Sequence, residues 1–568
     1  RPVRRVDRAV GSARQRLPRR RDGARAGHGR RPFADDLSPR DASAKLDKDH
    51  FEDPATYDFS FAHFTDTQYL SEGGAAGGTY DDWDGVAEAS DVETAEEQAI
   101  WANAWKATTH WIADNTDDRK IAYTAHTGDV IENDYYNPPD AVDASGNVIR
   151  KGLHDQVERE LAATSEYMRI LDDGGVVNQV IAGNHDDQLG AETGPDSRFS
   201  RTFTADRYYD LAANAWPAGA EFHTMDEQVD ANGGLVVRGA DSQNNYVLFS
   251  AGGLDFVAVG LSYGVTPAEA HWADSIFTRF KDRNGILLSH DYLAPSSNPD
   301  GRGGGLLQPP DGSMLYKQVV ESNPNVFLVL AGHEHGVGTN IKSDIGGEVD
   351  TKHDVVELLA DYQFYTVRAD KLWPDLVDGN GDIDVNSDGT ADHKASDRLQ
   401  FGASFLRLLQ FDVARSEMHI DTYSPYFDEF GGATPYDLRQ DGSQTTPRYN
   451  GSEDNMTLPV DLTTRKTSFA TDSLAVLVPG DTIGSRTVAA GGTAKVEWKK
   501  LAPGTSYAWI VVATSDNGGQ AYSEPVVFRT EKAAVSLEVD PVDAAYGSDA
   551  HILVEVGDSV APTGGRSP

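Results

Sequence analysis

Residues 176–187 read VVNQVIAGNHDD: an apolar run through Ala182, then a glycine, then an amide, an imidazole and two carboxylates in succession. A short apolar run stopped by glycine reads as a buried strand, and in open α/β sheets ligands gather just beyond the carboxyl ends of such strands. The pattern recurs outward from this point in both directions. Asp66 and Gln68 follow the run Phe59–Phe64 in FAHFTDTQY, and Asp129 follows Lys120–Thr127 in HTGDVIEN. His290 closes LLSHD after Ile286–Ser289, and His333 and His335 close LAGHEH after Val326–Ala331. Leu254–Leu261 is a further apolar run. Helical spacing lies between these runs. Ile100, Trp101, Ala104, Trp105, Thr108, Trp111 and Ile112 share one face of Glu97–Asn115, and Val157, Leu161, Thr164, Met168 and Leu171 share another before Gly174-Gly175 stops it. The alternation predicts an α/β domain with a largely buried sheet.

Five strand ends would therefore aim carboxylates, amides and imidazoles at one edge. These are ligands for hard to borderline divalent cations. With no Cys in the chain, a metal site here must be built from oxygen and nitrogen. Asp66, Gln68, Asp129, Asn184, His290, His333 and His335 exceed what one ion needs, and a bridging carboxylate would let two ions share them. Two ions about 3.5–4 Å apart suit displacement at phosphorus.

The ordered series D-x-Q, G-D-x-x-E-N, G-N-H-D, a strand ending in His, and G-H-x-H resembles the calcineurin-like metallophosphoesterases, over about Phe59–Tyr423. The resemblance implies an α/β/β/α sandwich. It also implies a phosphoric mono- or diester hydrolase with two transition-metal ions (Mn, Fe or Zn) and a metal-bound hydroxide as nucleophile. Carried over by motif, Asp66, Gln68, Asp129 and His335 would hold the first ion. Asp129 would bridge to the second, which Asn184, His290 and His333 would complete. His185 matches the proton donor to the leaving group, His333 would stabilise developing charge, and Asp186, Glu132 and Asn133 match the acidic and amide groups that orient these residues. One departure stands at Gln68, where the family usually has His. A glutamine can ligate through its neutral carbonyl oxygen, a harder donor than imidazole. Glu132 stands where purple acid phosphatases carry Tyr, which argues against that branch. His63, His110, His126 and His154 lie outside the motifs and are expected to be structural or surface residues, with His126 the nearest to the pocket.

The 568 residues exceed what one hydrophobic core usually serves, and a net charge of −40 disfavours broad binding to nucleic acid or anionic lipid. Zero Cys excludes disulfides, thiolate metal sites and a thiol nucleophile. No stretch approaches the roughly 20 apolar residues of a membrane span. Residues 1–31 hold 12 Arg against Asp7 and Asp22, so 1–50 is expected as a disordered basic tail; it has no apolar run and does not read as a signal peptide.

The phosphoesterase-like domain is expected over 51–430, closed by a hairpin-like pair at Phe405–Val413 and Met418–Tyr423, with a linker at 431–460. Residues 461–530 alternate between Gly/Pro turns and resemble a fibronectin type III β-sandwich, with Leu501, Tyr507, Trp509 and Val511 inward. Residues 531–568 resemble the incomplete start of a bacterial immunoglobulin-like repeat. Such all-β modules imply an extracellular or wall-associated protein that binds a wall or surface ligand. Within 378–392, Asp384, Asn386, Asp388 and Asp392 alternate around Gly389, similar to calcium loops, although the bidentate Glu of an EF-hand is replaced by Ala395. The competing reading is a surface scaffold whose phosphoesterase-like domain has lost catalysis. Substrate choice would lie in loops 133–152 and 191–205.

Overall fold

The structure is a computed structural model. It describes residues 50–75, 95–135, 153–187, 194–229, 235–307, 311–346, 352–363, 366–400, 404–431, 449–460, 462, 482–489, 493–502, 505–515, 520–523, 526–530, 537–538 and 549–558. The basic tail 1–49, most of the loop 133–152 and part of 191–205 lie outside the described residues. The chain divides into two compact units, 1–468 and 469–568.

In the first unit the elements that position the site are β1 (Phe59–Phe64), α1 (Gln68–Ala75), α2 (Ala95–Asp114), β2 (Ile121–His126), α3 (Leu153–Asp173), β3 (Asn178–Val180), β4 (Glu221–Thr224), β5 (Asn245–Ala251), β6 (Leu254–Leu261), α4 (Pro267–Arg279), β7 (Asn284–Ser289), β8 (Val326–Ala331), β9 (Gly336–Ile345), β10 (His353–Asp361), β11 (Leu406–Asp412), β12 (Glu417–Ser424) and β13 (Asn455–Pro459). Two seven-stranded sheets form. One runs β12-β11-β1-β2-β3, with Glu429–Phe430 and β13 both on β12; the other runs β9-β10-β8-β7-β6-β5-β4. β1, β2 and β3 are parallel, as are β6, β7, β8 and β10.

The strands are apolar throughout because both faces are covered. In the second sheet Phe256, Ala258, Ile286, Leu288, Leu328 and Leu330 face the first sheet's core, while Val257, Val259, Leu287 and Val329 pack outward with Ala270, Ala273 and Phe277 of α4. Aromatic rings join the sheets: Phe61 meets Phe249 at 5.5 Å and Phe256 at 5.3 Å, edge to face. On the other side Trp101, Trp105 and Ile112 of α2 are buried against the first sheet. α4 starts on a capping box between Thr266 and Glu269 with Pro267 at its first turn, which satisfies free N–H groups at the helix end. Among the described residues no helix is long and apolar enough to cross a membrane. The result is a mixed α/β sandwich with helices outside two facing sheets.

Two boundaries differ from expectation. The stretch 431–460, expected as a linker, ends in β13, whose residues pair antiparallel with Glu417–Asp421 of β12. Arg407, fully buried on β11, explains why: it donates to the carbonyls of Leu359 and Glu453 and lies 3.7 Å from Asp454. A buried guanidinium needs such partners, so residues 453–454 are drawn into the core.

In the second unit, the strands are β14 (Thr482–Ala489), β15 (Ser506–Ser515), β16 (Gln520–Tyr522), β17 (Val526–Arg529) and β18 (Asp549–Asp558). Trp509 and Val511 are buried, and Tyr507 packs on Trp498 and Phe528. Residues 549–558, expected to begin a separate module, instead lie between β14 and β15 in one five-stranded sheet. A strand in that place has both rows of backbone N–H and C=O groups paired, which a lone terminal strand would not.

Candidate metal centre

The carboxyl ends of the parallel strands in both sheets meet at one edge. Within the first sheet the strand ends zip together: Asp66 N donates to Gly128 O at 3.0 Å and Thr67 N to Asp129 O at 2.9 Å. Between sheets, His290 Nδ1 lies 2.8 Å from Thr127 O; within the second sheet Gly332 N donates to His290 O at 3.1 Å. Asp66, Asp129 and His333 have φ of 53°, 53° and 72°. This left-handed region costs a side-chain-bearing residue on the order of 1–3 kcal/mol, and such strain persists at functional sites where surrounding contacts fix it. The glycines of two motifs are required by close approach. A Cβ on Gly183 would overlap Asp129 Oδ1, and one on Gly332 would overlap Asp66 Oδ2 and Thr65 Oγ1.

Asp129, His290 and His333 bring one ligand atom each within 4.8 Å of one another. His290 Nδ1 donates to the Thr127 carbonyl, so Nε2 is the ring nitrogen that would ligate. That nitrogen faces Asn184 Oδ1 at 3.1 Å, His333 Nδ1 at 3.2 Å and Asp129 Oδ1 at 3.3 Å. The carboxylate and amide oxygens and the two imidazoles converging in a buried space call for positive charge among them, which a proton on His290 or a metal ion in its place would supply, so the donor set fits a cation. Burial opposes a charged His290, yet Asp129 and Asp66 outweigh it and raise its pKa to about 10. Burial would also raise Asp129, but His290 and His185 hold it below the usual carboxylate range. His333 is pushed down to about 3 by burial and by His290, which keeps it neutral and able to ligate. Burial and Asp361 push Asp66 well up.

Gln68 opens α1, with Nε2 3.2 Å from Asp129 Oδ2. His335 lies near enough to His333 to disfavour its charging. His185 sits beside the centre: its N–H donates to Asp129 Oδ1 at 3.0 Å, its Nδ1 lies 2.9 Å from Glu132 O and 3.1 Å from Glu132 Oε2, and its ring packs on Tyr135 at 5.6 Å. Burial alone would lower His185, but Glu132 and Asp129 raise it well above an ordinary histidine. Glu132 thus holds Nδ1 of the ring. Asp186 accepts from Gly183 N, Val130 N and Ile131 N, which clamps the GNHD turn onto the Asp129 loop. Asn133 donates to Glu160 at 2.6 Å.

Two of the histidines outside the motifs make buried structural contacts. His126 Nδ1 accepts from Gly128 N, so Nε2 donates to Thr67 Oγ1; its ring stacks on Trp105, and burial lowers it to about 3. His63 bonds Thr127 Oγ1. At the expected calcium loop the side chains serve the loop's own backbone: Asp384 accepts from Asp388 N and Gly389 N, Asn386 from Asp388 N, Asp388 from Thr390 N, and Asp392 from Val385 N. Among the described residues, the three-ligand His/Asp/Glu grouping is Asp129, His290 and His333.

Three contributions escaped the sequence. Asp361 and Gln363 follow β10 and reach the same edge; the signal was an apolar strand run ending in D-Y-Q, like the one ending in D-T-Q. Glu160, on α3, accepts from Glu132 N and Asn133 N and holds the loop after Asp129. Tyr263 stands 5.4 Å from the His333 ring.

Residues 59–337 match the calcineurin-like phosphoesterase family model. An uncharacterized protein, YvnB, of Bacillus subtilis (strain 168) is 27% identical over 445 residues, covering 78% of this chain and 27% of that protein. The chain thus spans about a quarter of the length of that curated relative. Among solved structures, a dimetal phosphatase from Danio rerio is similar at 12% identity, 65% of this chain, 97% of that chain and a TM-score of 0.30. GAP50, described as the anchor in the inner membrane complex of Plasmodium, is similar at 8% identity, 73% and 91% coverage and a TM-score of 0.27. Residues 59–337 are thus similar to calcineurin-like phosphoesterases, and the Asp129–His290–His333 cluster at the strand ends is a candidate metal site.

Proposed function

We propose that the protein is a metal-dependent phosphoesterase that hydrolyses phosphoric mono- or diesters outside the cell. The observation that carries this is the convergence of Asp129, His290 and His333 with Asn184 at the edge where His185 is held by Glu132. Asp66, Gln68, Asp129 and His335 would hold one ion, and Asp129, Asn184, His290 and His333 the other. Bound there, two ions supply Lewis acidity toward water and the phosphoryl oxygens. The chain's own residues do the rest. Asp186 and Glu160 fix the ligand loops, so little reorganisation is needed when substrate enters. Glu132 holds His185 protonated on Nδ1 and aims Nε2 as the proton source for the departing oxygen. The acidic balance and the β-rich second unit support an exported setting, with that unit contacting a wall or surface ligand. Metal analysis of the purified chain, with a screen of mono- and diesters under Mn²⁺, Fe²⁺ and Zn²⁺, tests the reading. About two ions per chain with metal-dependent turnover is expected; a folded chain that takes up no ion would point to the scaffold instead.

A further inference from the structure

Each half of the sandwich ends a strand in the same pattern: Asp66-Thr67-Gln68 beyond β1 and Asp361-Tyr362-Gln363 at the end of β10. The two tripeptides meet through their amides. Gln68 Nε2 donates to Gln363 Oε1 at 2.5 Å and to Asp129 Oδ2 at 3.2 Å, which spends both of its hydrogens. Gln68 Oε1 is left buried with no hydrogen-bond partner. A buried carbonyl in that condition is destabilising unless a donor or a cation meets it.

The direction of this chain of bonds is not arbitrary. Both carboxylate oxygens of Asp361 are taken by N–H groups of Gln363: one accepts from the backbone N at 2.8 Å and the other from Nε2 at 2.9 Å. Gln363 must therefore turn its oxygen toward Gln68, and Gln68 must answer with its nitrogen. Reversing either amide would set N–H against N–H or oxygen against oxygen in a buried space. Gln363 is 4% exposed and Asp361 fully buried, so water does not relax the constraint.

We propose that Asp361 and Gln363 are positioning residues that fix Gln68 as an oxygen ligand of the first metal ion, doing through a directed amide pair what an imidazole at position 68 would do unaided. This rests on the dinuclear reading above. The first site would then offer mostly oxygen donors, and the second would keep His290 and His333.

The test is Mn²⁺ binding to the full chain by titration calorimetry, with bound metal counted after dialysis. The wild-type chain is expected to bind about two ions. Gln363→Leu and Asp361→Asn should each keep the second site and weaken the first by about 10–100-fold, as loss of groups that orient a ligand does. Gln68→His in the Gln363→Leu background should restore the first ion, because an imidazole nitrogen needs no partner amide to face the metal. A merely structural role for Gln363 would not be rescued this way. Retention of both ions at wild-type affinity in both single variants, or failure of the Gln68→His rescue, overturns the proposal and leaves the dinuclear reading intact. A wild-type chain that binds no Mn²⁺, Fe²⁺ or Zn²⁺ overturns both. If circular dichroism shows Gln363→Leu unfolded, Asp361→Asn, nearly identical in shape to the native residue, decides.

Discussion

The backbone N–H of His333 donates to both carboxylate oxygens of Asp66, at 3.0 and 3.1 Å. Asp66 follows β1 and His333 follows β8, so this contact joins the edges of the two sheets at the candidate metal centre. Both residues hold left-handed backbone, and each helps to fix the other. The site is thus a shared product of both halves of the sandwich.

Removing the carboxylate common to both ion positions should therefore be severe. Asp129→Ala is expected to lose metal at least about 100-fold, since altering the groups behind a ligand already costs about 10–100-fold. Metal content and turnover of the purified variant check it, and undiminished metal-dependent turnover would sink the proposed mechanism.

His185 should separate binding from proton transfer. His185→Ala is expected to keep its metal content while losing about 10²–10⁴-fold in kcat on alkyl phosphate esters. Aryl esters with good leaving groups should lose far less. Equal losses on both substrate types would contradict the assigned role.

Gly183→Ala tests the close approach at the GNHD turn. The added methyl meets Asp129 Oδ1 and the Asp129 backbone, so about 1–3 kcal/mol of stability should go, with weaker metal uptake. Urea unfolding with and without Mn²⁺ measures both effects.

Arg407→Met should destabilise by about 3–5 kcal/mol, because it leaves Asp454 buried without its cation and strips a donor from the Tyr362 hydroxyl. Protease cleavage near residue 450 should accelerate if this side chain anchors β13. An unchanged urea midpoint and cleavage rate would refute that anchoring.

His223 predicts a pH dependence away from the metal centre. Its Nδ1 lies 2.9 Å from Glu227 and its Nε2 3.1 Å from Glu221. Burial opposes its charge, but the two carboxylates win and raise its pKa above the ordinary 6.5. The stabilisation is complete below about 6.5 and is lost as pH rises through the raised value. Melting temperature should fall over that interval in the native chain, and His223→Gln should flatten that part of the profile.

Much of the site was legible because its signals are local. Apolar runs ending in G-D, G-N-H-D and G-H-E-H mark strand, stop and candidate ligand within a few residues, and strands over 59–64 and 326–331 form where the pattern puts them. Asp361 and Gln363 were not legible, because D-Y-Q gains meaning only once β10 is known to run parallel beside β8. The segment before β13 misled for a similar reason. Its Gly, Asp and Pro content describes a turn-rich chain, while Arg407, the buried cation that holds its end at residues 453–454, lies on β11.

The sequence by itself determined the chemical groups available at this edge: carboxylates, amides and imidazoles, no thiol, and a histidine next to Asn184. Tertiary structure alone decided which way the amide of Gln68 faces, that Asp66 and His333 secure one another, and that residues 549–558 complete a sheet. These are relations between atoms far apart along the chain. Hydrogen-bond direction and burial fix them only after the strands have paired.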